Sequence, residues 1–183
     1  MKVINTTIDD LYEVDLEPIK DSRGFFARAF CINELSSIRS DIRIVQINHT
    51  LTVEKGSVRG MHFQKPPFCE VKFVRCIRGS VFDVAVDLRE GSPTFLKWHG
   101  VELTADNMKM LLIPEGFAHG FQTLEDNCEL LYLHTQFYNK EYEAGLRYDD
   151  PSININWKLP VANMSKRDKS HKLIDNDFKG IKI

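Results

Sequence analysis

No stretch of this chain is apolar for the ~18 residues that a membrane-spanning helix needs, so no membrane partner is expected. No basic run or stripe occurs, and the formal charge is −2 at pH 7, so no nucleic-acid partner is expected either. The opening residues Met1-Lys2-Val3-Ile4-Asn5 hold no apolar h-region, which predicts no secretory leader. Cysteine is sparse. Cys31, Cys69, Cys76 and Cys128 form neither a C-x-x-C pair nor a disulfide-framework spacing. They are expected to be reduced thiols packed as small apolar residues, which fits a cytoplasmic protein. Repeats, low-complexity segments and domain linkers are missing too. What is present is ordinary for a globule: 183 residues, 43% hydrophobic and 27% charged. That length predicts one domain over residues 1–183, large enough to bury a core.

Helical spacing is scarce, and strand signals fill the middle of the chain. Residues 42–47 are β-branched and end at Asn48 and His49. Residues 58–64 follow the turn Lys55-Gly56-Ser57, and 71–77 lead into a tight hairpin at Arg78-Gly79-Ser80. Residues 81–88 alternate cleanly, with Phe82, Val84, Val86 and Leu88 on one face and Val81, Asp83, Ala85 and Asp87 on the other. Residues 98–103, 109–113, 117–123 and 128–135 complete the series. A short helix is expected over 33–38, loop and turn over 149–160, and one helical turn after Ser165. Many short strands divided by Gly, Pro and Asn turns predict an all-β, antiparallel jelly-roll barrel of the cupin type, with short peripheral helices. An immunoglobulin-like sandwich lacks its Cys–Trp–Cys arrangement here.

Chemistry concentrates in two runs, Arg59-Gly60-Met61-His62-Phe63-Gln64 and Pro114-Glu115-Gly116-Phe117-Ala118-His119-Gly120. Strict alternation puts His62 on a face with Val58, Gly60 and Gln64, a poor surface for a core. An imidazole there is either a satisfied structural group or a neutral base near pH 7. Lys72 shares a face with Val74 and Cys76, where a lysine is unusual unless paired or functional. Tyr132, in an apolar run, is either core or a proton donor. Asp83 and Asp87 stand on a strand, where Asp is depleted, and are candidates to orient a histidine or line a pocket. Asp168, within Ser165-Lys166-Arg167-Asp168-Lys169, has by pattern alone the look of a solvated charge. A histidine, a lysine, a tyrosine and an aspartate can together move a proton on carbon beside a carbonyl, which points to an isomerase. The run Pro114-x-Gly116-x-x-His119 is half of a cupin metal signature. Its other half reads His62-Phe63-Gln64 and lacks the second imidazole, so even with Glu70 the ligand set is short and no metal is expected.

These runs, with Lys72, residues 81–89, Ser92-Pro93-Thr94-Phe95, Ile113 to Phe121 and Asp149-Asp150-Pro151, resemble the dTDP-4-dehydrorhamnose 3,5-epimerase family over about 21–168. The resemblance implies a jelly-roll homodimer without metal or cofactor that epimerises a nucleotide-linked 4-keto-6-deoxy sugar. It implies His62 as general base and Asp168 as the carboxylate orienting it. Lys72 becomes the stabiliser of the enolate oxygen, and Tyr132 the donor to the opposite face. His119 becomes a pocket residue, and Asp83 is inferred to be its partner. Arg23 and Arg59 match diphosphate ligands, Tyr138 a base-stacking aromatic, and Gln46, Asn48 and Glu143 further nucleotide contacts. Arg23 in particular is expected to come from the partner subunit. Ideal alternation places Arg59 and His62 on opposite faces, so both reach one pocket only if Gly60 permits a bulge.

The chain also departs from the family pattern. Arg28 stands where the family usually has Glu, Ile47 where it has Asp, and Arg167 where it has Lys. A donor in place of an acceptor at position 28 would suit cytosine better than thymine if that residue touches the base. An epimerase acting at C3 or C5 alone, on a CDP- or GDP-linked sugar, is therefore the alternative reading.

Overall fold

The computed structural model describes residues 1–183. Its strands are β1 (Lys2–Asn5), β2 (Tyr12–Asp15), β3 (Ile19–Asp21), β4 (Gly24–Phe26), β5 (Gln46–Thr52), β6 (Val58–Gln64) and β7 (Lys72–Arg78). They continue as β8 (Ser80–Asp87), β9 (Trp98–Thr104), β10 (Lys109–Ile113), β11 (Phe117–Thr123), β12 (Cys128–His134) and β13 (Glu143–Gly145). Two single-turn helices, α1 (Ile32–Leu35) and α2 (Lys166–Lys169), lie at the periphery. A six-stranded sheet runs β1-β2-β10-β7-β12-β5, and a five-stranded sheet runs β13-β6-β11-β8-β9. Every pairing between named strands is antiparallel. This is the jelly-roll barrel expected from the strand pattern.

Three apolar layers hold the sheets. The middle one draws on both sheets, with Val74, Cys76, Leu111 and Leu130 meeting Val81, Ala85, Leu103 and Phe121. Behind the five-stranded sheet, Phe82, Val84, Val86 and Leu88 pack on Leu146, Ile153, Ile155 and Ile181 from the late chain. Outside the six-stranded sheet, Val14, Phe73, Met110 and Leu112 pack on Leu35 and Ile42. The two faces of 81–88 thus divide between the middle and outer layers, as their alternation predicts. All eight residues of β8 are buried because both faces are covered.

Some boundaries differ from expectation. The segment 42–47 is strand only from Gln46, and β5 then continues to Thr52. Ile42, 3% exposed, is a core plug rather than a ladder residue. The helix expected over 33–38 is the single turn α1. β1 to β4 and β13 carry too few alternating residues to have been read.

One irregularity decides which side chains meet. On the pairing of β11 with β6, His119 faces His62 and Phe121 faces Arg59, so two steps on one strand span three on the other. That bulge turns Arg59 and His62 toward the same interior, against strict alternation. Gly60 sits inside it at φ +136°, and a Cβ there would lie 2.5 Å from the Gly120 Cα. Only glycine tolerates both demands. Gly60→Ala is expected to cost about 2–4 kcal/mol of stability, measured as a lower urea midpoint at unchanged m-value.

Candidate active site

Between the sheets lies a cavity of about 770 Å³, a size suited to a nucleotide-linked sugar. His62 enters it from β6 and His119 from β11, on the five-stranded sheet. Lys72 from β7, Tyr132 and His134 from β12, and Asn48 from β5 enter from the six-stranded sheet. Arg59 lines the same space, its Nε donating to Thr52 Oγ1 at 2.9 Å and its Nη2 to the Leu51 carbonyl at 3.2 Å.

The tail reaches the cavity as well. Ser165 caps α2, accepting the Asp168 N–H at 3.0 Å, and the turn delivers Asp168 to His62 with Oδ1 2.8 Å from Nε2. Asp168 is 2% exposed, the opposite of its solvated appearance in the sequence. Burial by itself raises its pKa, but the hydrogen bond and charge of His62, the Gly60 N–H and the Ser165 hydroxyl outweigh it. The net shift is well below the ordinary carboxylate range. An ionised carboxylate only accepts, so Nε2 carries a hydrogen, and in the neutral ring the lone pair is then on Nδ1. Nδ1 has no partner within the chain. Arg167 Nη2 lies 3.2 Å from the same Nε2, while its Nη1 is held by Glu143 Oε1 at 2.8 Å.

Two further histidines are each paired with a carboxylate. His119 Nε2 lies 2.8 Å from Asp83 Oδ1, and Asp83 is fully buried. His134 Nδ1 lies 2.6 Å from Glu70 Oε2, and Lys72 Nζ lies 3.4 Å from Glu70 Oε1. Tyr132 touches both imidazoles, edge-on to His119 at 6.0 Å and stacked on His134 at 6.1 Å between centroids. Burial first, then the charge of Asp83, pushes its phenol far above the ordinary range, so it stays protonated and able to donate.

Other expectations separate here. Asp87 has no part in the cavity; it anchors the loop after β8 by accepting from Arg89, Ser92 and Thr94. Gln64 shares the face of His62, as alternation predicts, but does not line the cavity. It bonds Phe68, Phe137 and Asn139 backbone groups instead. Glu70 is taken up by His134 and Lys72 and sits in no ligand set. Gln46, Tyr138 and Glu143 stand just outside the cavity wall: Tyr138 O–H donates to Glu143 at 2.9 Å, and its N–H to Gln46 at 3.1 Å. Arg23 pairs with Asp21 on the exposed β3–β4 hairpin, and Arg28 pairs with Glu34; neither lines the cavity.

His134 escaped the sequence reading, although it follows Tyr132 by two residues and so shares its face. His171 escaped it too. His171 offers a ligand atom within 4.8 Å of those of His62 and Asp168, the one grouping close enough to share a cation. Two of its three members are already bonded to each other.

Residues 5–176 match the sequence profile of dTDP-4-dehydrorhamnose 3,5-epimerase. A dTDP-4-dehydrorhamnose 3,5-epimerase of Shigella flexneri is 44% identical over 180 residues, covering 97% of this chain and 99% of that one. The crystal structure of the Legionella pneumophila dTDP-6-deoxy-D-glucose-3,5-epimerase, in complex with dTDP-4-keto-L-rhamnose, superposes with a TM-score of 0.91 at 37% identity. It covers 98% of this chain and 97% of its own. The Bacillus anthracis dTDP-4-dehydrorhamnose 3,5-epimerase, with TDP and PPi bound, has a TM-score of 0.91 at 35% identity, covering 94% and 99%. Likeness of this extent, on top of the barrel and its histidine–carboxylate pair, defines a carbohydrate epimerase working on nucleotide-linked sugars. Within that class the chain belongs to the dTDP-4-dehydrorhamnose 3,5-epimerase family.

Because the Asp168 pKa is depressed by folding, its stabilisation is complete above the unfolded carboxylate range and fades as pH falls toward the folded value. Asp168→Asn is expected to lower the melting temperature most near pH 7. The gap to the parent protein should narrow below about pH 4, where the unfolded carboxyl protonates. Thermal scans across that range measure it.

Proposed function

We propose that this protein inverts both C3 and C5 of a dTDP-linked 4-keto-6-deoxyhexose. The ketone at C4 acidifies the hydrogens on both neighbouring carbons. Nδ1 of His62 removes one of them, and Asp168 stabilises the imidazolium that forms. The electron pair moves to O4, where the Lys72 ammonium meets the enolate charge in a water-poor site. Tyr132 then gives its phenolic proton to the carbon from the other side. Exchange with water resets the imidazolium and the phenolate, and the sequence repeats at the second carbon.

One observation carries this reading: base and donor stand on opposing sheets across the same cavity, His62 on β6 and Tyr132 on β12. A planar enolate between them has one on each face, which is what inversion requires. Arg59 suits the diphosphate, whose oxygens match a guanidinium fork. Asn48, Gln46, Glu143, Arg167 and the ring of Tyr138, 53% exposed, suit the nucleoside at the mouth. His119, held by Asp83, borders the sugar. Thymidine is preferred over cytidine as the base, in line with the relatives' names and with Arg28 bound to Glu34.

The working form is a homodimer in this reading. β5 is an unpaired sheet edge carrying exposed Ile47 and Leu51, and the β3–β4 hairpin exposes Ile19, Phe25 and Phe26. Such an edge and such a patch call for cover. A second copy supplies it and brings its own Arg23 to this chain's diphosphate. Four free cysteines fit a reducing cytoplasm.

Solvent-deuterium incorporation at C3 and C5, followed by NMR, tests the chemistry on matched dTDP-, CDP- and GDP-linked 4-keto sugars. Exchange at both carbons with preference for dTDP is expected; label at one carbon only would overturn the double inversion. His62→Ala should cut exchange by about 10²–10⁴-fold while leaving dTDP binding intact, and near-normal exchange would refute the assigned base. Tyr132→Phe should retain exchange and lose inversion. Light scattering should give a dimer mass.

A further inference from the structure

Lysine is a flexible choice for an oxyanion clamp. Its charge sits at the end of a four-carbon stem that must be held in place. Beside Lys72, outside the mechanism just described, lies a third histidine–carboxylate pair. The side chains of Lys72, Glu70 and His134 are 10%, 8% and 9% exposed. His134 and Lys72 are direct cross-strand partners on β12 and β7, and Glu70 precedes β7 by two residues.

The distances are unequal in an informative way. Glu70 holds His134 tightly, at 2.6 Å, and Lys72 loosely, at 3.4 Å. A short ion pair to a free carboxylate would direct the ammonium away from the cavity and satisfy much of its charge. Engaging Glu70 from its other oxygen, His134 keeps that pair long, and the ammonium also reaches the His62 carbonyl at 3.4 Å. The orientation of His134 is itself fixed. Glu70 stays ionised, because His134 and the Lys72 charge outweigh its burial and hold its pKa low. It therefore accepts from Nδ1–H, leaving Nε2 as the acceptor facing Asn48 Nδ2 at 3.2 Å. Asn48 Oδ1 in turn accepts from Gln46 Nε2 at 3.2 Å, and Gln46 Oε1 from the Tyr138 N–H at 3.1 Å. Donors thus run in one direction from the mouth of the cavity to Glu70. The same imidazole stacks on Tyr132, so one ring touches the proton donor and, through Glu70, steadies the enolate clamp.

We propose that His134 and Glu70 are positioning residues for this epimerase, holding the Lys72 ammonium and the Tyr132 ring in register across the sugar site. The inference rests on the assignment of Lys72 to the enolate oxygen and adds residues that assignment does not use. Neither residue needs to touch the sugar, so their loss should appear in turnover rather than in nucleotide affinity.

The test compares Glu70→Ala, His134→Leu, His134→Gln and Lys72→Met. Each is assayed for steady-state epimerisation of a dTDP-linked 4-keto-6-deoxy sugar and for dTDP affinity by calorimetry. Glu70→Ala and His134→Leu are expected to lower kcat at least tenfold, with the dTDP Kd within twofold in Glu70→Ala, which leaves the His134 contact to Asn48 in place. His134→Gln, whose amide can donate to Glu70 and accept from Asn48, is expected to recover most of the loss. Unchanged kcat in Glu70→Ala and His134→Leu, with Lys72→Met inactive, would overturn this inference and leave the mechanism standing. A loss confined to dTDP affinity would overturn it as well. Full turnover by Lys72→Met would instead remove the role of Lys72, and the positioning pair with it.

Discussion

The contact on which the site turns is the hydrogen bond from His62 to Asp168. It joins a mid-chain strand to a residue 106 positions later, so the histidine–carboxylate pair is complete only when the tail has docked. The docking has its own supports. Ser165 caps the turn that presents the carboxylate, Gly60 offers its N–H to the second oxygen, and Met164 beside the turn is buried. The same bond sets the tautomer, and the tautomer decides which ring nitrogen is basic.

Around that bond the cavity is organised by sheet. The five-stranded sheet supplies His62 and the His119–Asp83 pair. The six-stranded sheet supplies the phenol, the ammonium and the Glu70–His134 pair behind it. Facing sheets place these groups on two opposite walls of one cavity. The bulge at Gly60 adds Arg59 to the interior, so a guanidinium and an imidazole share one strand and one side.

Much of this was legible in the residues. Strands β6 to β12 were readable within a residue or two because both faces of their alternation are used, one by the middle layer and one by an outer layer. Lys72 stood out because a lysine on an apolar face needs a reason. The N-terminal strands were not legible, being short and of mixed polarity, and the β-branched stretch at Ile42 proved to be a plug for the outer layer. The roles of Asp168, His134 and Glu70 were hidden for one shared reason. A carboxylate or imidazole is assigned by what it meets, and their partners come from other segments, Glu70 and His134 being 64 residues apart. The resemblance to the epimerase family supplied Asp168. His134 was outside that resemblance, and only the face it shares with Tyr132 hinted at it.

The outer apolar layers have a further consequence. Small barrels fill their interior with packed side chains, and the middle layer does so in this chain beside the cavity. Here Phe82, Val84 and Val86 on one side, and Phe73, Met110 and Leu112 on the other, are buried outside the sheets, beneath the chain's own ends. Much of the folding energy therefore resides in the wrapping, and the hollow can hold imidazoles, an ammonium and a phenol without carrying the whole load of cohesion. Such an arrangement lets the lumen be refitted for a different sugar while the shell stays as it is.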